Sequence, residues 1–352
     1  MRIAQISPLH EAVPPKLYGG TERVVSYLTE ELVALGHDVT LFASGDSVTS
    51  ARLVPACQRA LRLDADCQDR VLYHLMQLDT VLERHHEFDV IHFHGDTLHY
   101  PFIRRTTLPV LTTLHGRLDL PDLEPFYRHF ADISVSSISN DQRRPLPWLN
   151  WRGTVLHGLP RNLLSRGGGR GGYLAFLGRI SPEKGVERAI EIASRTGLPL
   201  KVAAKVDAVD QDYFDSIRPL FDNPLVEFIG EIGEKEKNAF LGEALALIFP
   251  IDWPEPFGLV MIEAMACGTP VLAFRRGSVP EVIDENVSGC IVDTVDQAVK
   301  AMDRLLALDR MRCRATFEGR FSATRMASDY LDLYRQLSPL ATQSALDPVD
   351  WE

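Results

Sequence analysis

The stretch PIDWPEPFGLVMIEAMACGTPVLAF, residues 250–274, holds two glutamates, Glu255 and Glu263, on either side of an expected helix start. Pro254 and Pro256 force an extended loop, and a helix is expected from near Gly258 to a stop at Gly268. The amides of Gly258, Leu259 and Val260, just after Phe257, then lie at a helix N-terminus, where the macrodipole favours an anion such as a phosphate. Glu263 falls in the second turn, about 7 Å further along the axis. A carboxylate touching a diphosphate would repel it. Both glutamates are therefore better suited to accept hydrogen bonds from hydroxyls, and the spacing lets one ligand span the two.

The counter-charge is expected from LGRISPEKG, residues 177–185, where Arg179 and Lys184 share a short loop after a strand. Two cations there can neutralise a leaving diphosphate, the guanidinium bidentately. The blander alternative is surface ion pairing with Glu183 and Glu187. His92 and His94 share one strand face and, with His115, could begin a metal site, but no Cys, Asp or Glu at suitable spacing completes it. No metal is expected. The loose Asp-x-Asp matches at 64–66 and 210–212 read as structural, the second as a helix cap. RRPLPWLNWRG, residues 143–153, reads equally as a surface for an aromatic or sugar acceptor or for lipid headgroups and as two buried tryptophans, Trp148 and Trp151; Glu281 reads first as a helix cap and second as a donor contact.

These groups need a frame. The 352 residues suggest two domains, with 45% hydrophobic and 24% charged residues supporting two soluble cores. Apolar runs RIAQIS, DVTLFAS, DVIHFHG, PVLTTLHG, ISVSSIS and GTVLHG alternate with helical stretches, the first from Glu22 to Gly36. That alternation implies a parallel α/β sheet. A second series follows: GYLAFLGRI, PLKVAAKV, VEFIGEI, LALIFP, TPVLAF and GCIV. Between them RNLLSRGGGRGG, residues 161–172, has the composition of a flexible connection. We therefore expect two doubly wound Rossmann-like domains facing across a cleft, residues 1–164 and 165–321. A closing helix, 322–340, carries Met326, Tyr330, Leu333, Tyr334 and Leu337 on one docking face and joins the first domain.

The net charge of −11 argues against a nucleic-acid partner. Five cysteines without CxxC spacing read as reduced, buried thiols and favour a cytoplasmic location. The N-terminus lacks the apolar core of a signal peptide. No apolar run reaches the ~20 residues of a membrane span, which leaves only peripheral membrane contact.

Taken together, GRISPEKG, EPFGLVMIE, GSVPEVIDENVSGCIV and YGGTERV resemble the family-four group of retaining GT-B glycosyltransferases over nearly the whole chain. The resemblance implies a nucleotide-sugar donor as substrate, no cofactor, and a hydroxyl acceptor that is a lipid, a glycan or a small metabolite. It implies that Arg179 and Lys184 bind the diphosphate, that Glu255 contacts the transferred sugar, and that Glu263 holds the ribose. The amides from Phe257 to Val260 would approach sugar and phosphate. Gly19 and Gly20 would let a helix start approach the diphosphate, and His115 would touch the sugar near C6. Where many members carry a glycine-rich stretch, this chain has AAKVD, residues 203–207, so Lys205 either adds a phosphate contact or is solvated, with the base expected near Val206, Ile229 and Gly230. Hexose transfer with retention by front-face substitution is the expected reaction, UDP-glucose ahead of GDP-mannose as donor. An epimerase or phosphorylase on the same frame, and a non-catalytic nucleotide-sugar binder, are the alternatives.

Overall fold

The computed structural model describes residues 1–16, 19–95, 97–104 and 109–337. Tyr18 of the YGGTERV motif and the tail expected after Pro339 lie outside them. In the first half come β1 (Arg2–Ile6), α1 (Gly20–Ala34), β2 (Asp38–Ser44), β3 (Arg52–Cys57), α2 (Arg70–Glu83), β4 (Val90–Phe93), α3 (Tyr100–Ile103), β5 (Val110–Thr113), α4 (Leu123–His129), β6 (Val135–Ser137) and β7 (Trp151–Thr154). The second half continues with β8 (Leu174–Ile180), α5 (Val186–Thr196), β9 (Leu200–Val206), α6 (Gln211–Ile217), β10 (Val226–Gly230), α7 (Glu234–Glu243) and β11 (Ala246–Phe249). It closes with α8 (Leu259–Ala266), β12 (Val271–Phe274), α9 (Val279–Val282), β13 (Gly289–Val292), α10 (Val295–Leu306), α11 (Arg310–Arg320) and α12 (Ala323–Leu337).

Among the described residues these strands form two parallel sheets, in the orders β3-β2-β1-β4-β5-β6-β7 and β10-β9-β8-β11-β12-β13. Both are wound the same way. The order reverses between β1 and β4 in one sheet and between β8 and β11 in the other, and a crevice opens at the carboxyl ends of such strands. Helices cover both faces, which explains why β4, β5, β11 and β12 are buried throughout and read as continuous apolar runs. In the second core, Leu174, Phe176 and Val202 of the sheet meet Val186, Ile190 and Ile192 of α5. That helix stops at Gly197, whose φ of 70° is the left-handed conformation glycine adopts without a Cβ penalty.

The chain resolves into two compact units: Met1–Ile138 with Arg143–Leu156 and the segment from Ala323, and Ser139–Gln142 with His157–Ser322. It leaves the first unit at Leu156, ahead of the boundary expected at 164/165, and returns at Ala323 with the closing helix. The glycine-rich stretch, read as a flexible connection, instead belongs to the second unit. Its amides at Gly167, Gly169 and Gly171 donate to the carbonyls of Cys267, Gly242 and Glu243 at 3.0, 3.0 and 2.9 Å. A Cβ on Gly167 would lie 2.2 Å from the Gly242 oxygen, so glycine serves close backbone approach there rather than flexibility.

Gly167→Ala is expected to lower unfolding stability by about 2 kcal/mol or more through that overlap. Gly319→Ala, inside α11 with nothing within 4 Å of the added methyl, should raise it by about 1 kcal/mol. Urea melts showing equal effects for the two would contradict this account of the stretch.

Candidate active site

In the second unit the switch-point loops carry most of the residues singled out from the sequence. Arg179 stands at the end of β8, in register with Lys205 on the parallel neighbour β9, so both side chains leave the sheet on one side. Lys184 closes a single turn of 3-10 helix, Pro182–Lys184. Gly185 ends that turn with φ 67°, and a Cβ there would meet the Pro250 carbonyl oxygen at 2.4 Å. The Asp252 amide donates to the Glu183 carbonyl at 2.8 Å. Glycine and this backbone bond thus hold the loop after β8 against the loop after β11.

The second loop is fixed from its other side. Gly277 lies so close that a Cβ would meet the Glu255 backbone at 2.3 Å. The Ser278 amide donates to the Glu255 carbonyl at 2.9 Å, and its hydroxyl to the Phe257 carbonyl at 2.8 Å. Phe257 buries its ring against His157 and Phe321, leaving only its main chain for a ligand. Gly258 then adopts φ 80°, where a side chain would collide with Met261 and Phe249, and α8 begins. The first backbone bond across this start runs from Met261 N–H to Gly258 C=O at 3.0 Å. The amides of Gly258, Leu259 and Val260 precede it, on residues half-buried in an otherwise buried helix.

Glu255 and Glu263 are each paired with a lysine. Lys184 Nζ lies 2.6 Å from the Glu255 carboxylate and 4.6 Å from the centre of the Trp253 ring, a cation–π contact. Glu263, 3% exposed, is paired at 2.7 Å with Lys237 of α7. Lys237 was not singled out from the sequence: GEKEKNAF offers no periodicity that separates it from Lys235. Of the alternative surface pairs, Lys184 with Glu187 is not formed; Glu187 accepts from the Tyr213 hydroxyl at 2.5 Å instead.

Arg179 is held by three carboxylates, Glu183 at 2.7 Å, Asp210 at 3.5 Å and Asp207 at 3.8 Å, and Lys205 by Asp207 at 2.8 Å. Burial works against an ionised Glu183, but its own backbone amide and Arg179 outweigh it and hold the carboxyl below its ordinary value. Asp210 corrects the reading of 210–212 as a cap: it stands at the N-cap of α6, but its side chain caps nothing and faces Arg179. Lys205 is an ion-paired member of this cluster, so the solvated reading does not hold. At the carboxyl ends of β9 and β10, Val206 is half-buried, while Ile229 is exposed and Gly230 has φ 79°.

The first unit positions Gly19, Gly20 and His115. Gly19 precedes α1, where a Cβ would lie 2.8 Å from the Pro15 side chain, and Gly20 opens the helix. His115 follows β5, and its Nε2 lies 3.0 Å from His94 Nδ1. Burial pushes His115 down to about 3, so its ring is neutral at physiological pH. His92 and His94 engage Tyr334, Thr113 and Gln5 rather than a common centre. No group of three or more metal-ligating side chains occurs among the described residues. Trp148 stacks under Arg128 at 4.7 Å and Trp151 under Arg143 at 5.2 Å, and the Trp151 indole donates to the Leu146 carbonyl. Glu281 does not cap its helix: its carboxylate accepts from the Asn140 amide and side chain and from the Asp141 amide at 2.7–2.8 Å. All five cysteines are unpaired, with Cys267, Cys290 and Cys313 buried but Cys57 and Cys67 only half-buried. No helix of the described residues is long and apolar enough to cross a membrane.

Two family models meet on this frame, "Glycosyltransferase Family 4" over residues 18–155 and "Glycosyl transferases group 1" over residues 169–320. The chain belongs to the family-four GT-B glycosyltransferases. The glycogen synthase of Mycobacterium tuberculosis is 26% identical over 94% of each chain. Two solved structures share the fold at low identity. Sucrose-phosphate synthase from Thermosynechococcus elongatus covers 97% of this chain and 99% of its own, with a TM-score of 0.79 and 19% identity. Anabaena HepE in complex with UDP and glucose covers 98% and 100%, with a TM-score of 0.70 and 17% identity.

The glycosyltransferase also buries Glu22 in the first turn of α1, beside Glu11, whose own partner is Arg62 at 2.9 Å. Burial chiefly, with Glu11 adding to it, pushes the Glu22 carboxyl from 4.5 up to about 7. An unfolded chain ionises it near 4.5, so this group costs stability as pH rises from there to about 7, on the order of 3 kcal/mol once fully ionised. Glu22→Gln should therefore gain stability relative to the parent between about pH 5 and about pH 8 in urea melts. A pH-independent offset would show that Glu22 titrates normally.

Proposed function

We propose that this glycosyltransferase is a retaining hexosyltransferase. Its donor is a nucleotide-diphosphate hexose, UDP-glucose ahead of GDP-mannose, and its acceptor presents a hydroxyl. The reading rests on one observation: the start of α8, Lys184 and Arg179 meet at the carboxyl ends of β8 and β11 within one unit, with Glu255 and Glu263 beside them. The glycogen synthase likeness and the HepE complex with UDP and glucose favour a glucosyl donor on a uridine nucleotide.

The chemistry follows from the ion pairs. The diphosphate docks on the amides of Gly258 to Val260 and draws Lys184 from Glu255, while Arg179 turns from its carboxylates toward the phosphates. Glu255, relieved of its lysine, accepts from hydroxyls of the transferred sugar, and Glu263 accepts from the ribose. This exchange keeps the charge of the loop balanced as the donor enters. As the glycosidic C–O bond breaks, the cations and amides take up the charge of the departing diphosphate. The acceptor oxygen bonds to the same face of the oxocarbenium-like carbon, and its proton passes to the departing phosphate oxygen. The leaving charge is met by side chains and amides, so the proposed reaction requires no metal, and EDTA should leave turnover unchanged.

Glu255→Gln keeps the shape and removes the charge. It should lower kcat for release of the nucleoside diphosphate, UDP from UDP-glucose or GDP from GDP-mannose, roughly 100-fold or more, with far-UV circular dichroism unchanged. Full turnover in that variant would remove Glu255 from the mechanism. Asp210→Asn frees Arg179 of one competitor and should tighten UDP binding several-fold, on the order of 1 kcal/mol, in calorimetry; weaker binding would show that Asp210 orients Arg179 instead.

A further inference from the structure

The histidines of the first unit do not end at His115. Behind them lies a continuous buried hydrogen-bond chain that reaches α12, and its members Gln5, His92, Tyr330 and Tyr334 have no solvent exposure. Gln5 Nε2 donates to the Tyr334 hydroxyl at 3.0 Å, which commits that hydroxyl's own proton to His92 Nδ1 at 2.6 Å. His92 is then protonated on Nε2 and donates to Thr113 Oγ1 at 2.7 Å. Thr113 also accepts from the Tyr330 hydroxyl at 3.0 Å and passes its proton to Ser136 at 2.7 Å.

The same amide acts in the other direction. With its nitrogen turned to Tyr334, Gln5 presents Oε1 to His94 Nε2 at 2.7 Å, and only a protonated Nε2 can donate to it. Neutral His94 then keeps Nδ1 as an acceptor, and the 3.0 Å contact from His115 Nε2 is satisfied only when that nitrogen carries the proton.

We infer that Tyr334 is a positioning residue that acts through Gln5 and His94 to fix which ring nitrogen of His115 carries the proton. A hydroxyl on the closing helix, more than 200 residues away in sequence, thus sets the tautomer of a residue at the end of β5. The consequence for turnover rests on the donor contact proposed for His115; the tautomer itself does not. Neither tyrosine touches the sugar in this account, and a role in packing alone would leave the His115 nitrogens unaffected.

The test uses the full chain labelled with 15N-histidine, with the His115 signals identified by their loss in His115→Gln. In the parent the imidazole nitrogens of His115 should show the Nε2–H pattern. Tyr334→Phe should shift them toward an average of both tautomers. Gln5→Met, which cuts the same chain from β1, should do likewise, so the answer does not depend on one variant folding. Tyr330→Phe, whose hydroxyl reaches Thr113 and not Gln5, should leave His115 as it is. Turnover of UDP-glucose by Tyr334→Phe should fall roughly tenfold in kcat with little change in KM, the effect of a misdirected group rather than a lost binding contact. An unchanged His115 pattern in both Tyr334→Phe and Gln5→Met overturns the inference. A shifted pattern with full turnover upholds it and removes His115 from the donor site.

Discussion

The site depends on a charge held in reserve. Lys184 and Glu255 come from loops after different strands, β8 and β11, and meet at 2.6 Å because the sheet order reverses between those strands. The loops themselves leave little freedom: Gly185 leaves room for the Pro250 carbonyl where any side chain would collide, and Gly277 does the same for the Glu255 backbone. A partly buried ion pair of this kind contributes little net stability, since desolvation offsets most of the attraction. Its value lies in preorganisation. A ligand that carries its own negative charge and its own hydroxyls can replace each partner, and neither loop has to move far.

The same logic extends outward. Glu263 with Lys237, Lys205 with Asp207, and Arg179 with its three carboxylates are compensated charges of the same unit. The half-buried amides of that helix start carry partial positive charge on groups that no side chain has neutralised in the same way. In the proposed reaction an anion is therefore drawn first to the helix and then competes for the cations. Asp207, at the end of the segment that departs from the family's glycine-rich pattern, and Asp210 just beyond it make that proposed competition harder and tune how tightly the phosphates are held.

Much of this frame was legible in the sequence, because strands buried on both faces read as unbroken apolar runs and glycine marked the helix ends. β3 was not. It is an edge strand, half-exposed and interrupted by Pro55, so RLVPAC lacks the apolar run that betrays the interior strands. The spacing of Glu255 and Glu263 and the loop with Arg179 and Lys184 revealed the cluster of the second unit, since each lies beside a strand end. What escaped were partners brought in by folding alone. Lys237 comes from a helix of mixed charge, Asp210 looked like a cap, and Tyr330 and Tyr334 counted as an apolar stripe until their hydroxyls were placed. The glycine-rich stretch misled for a physical reason: glycine signals backbone freedom and close backbone approach equally, and only Gly242 beside Gly167 decides between them.

The direct test is a crystal structure with UDP bound. The diphosphate is expected on the amides of Gly258 to Val260, with Lys184 Nζ moved from the Glu255 carboxylate to a phosphate oxygen and the ribose on Glu263. A nucleotide bound elsewhere, or one bound at α8 with the Lys184–Glu255 pair still closed, would contradict it.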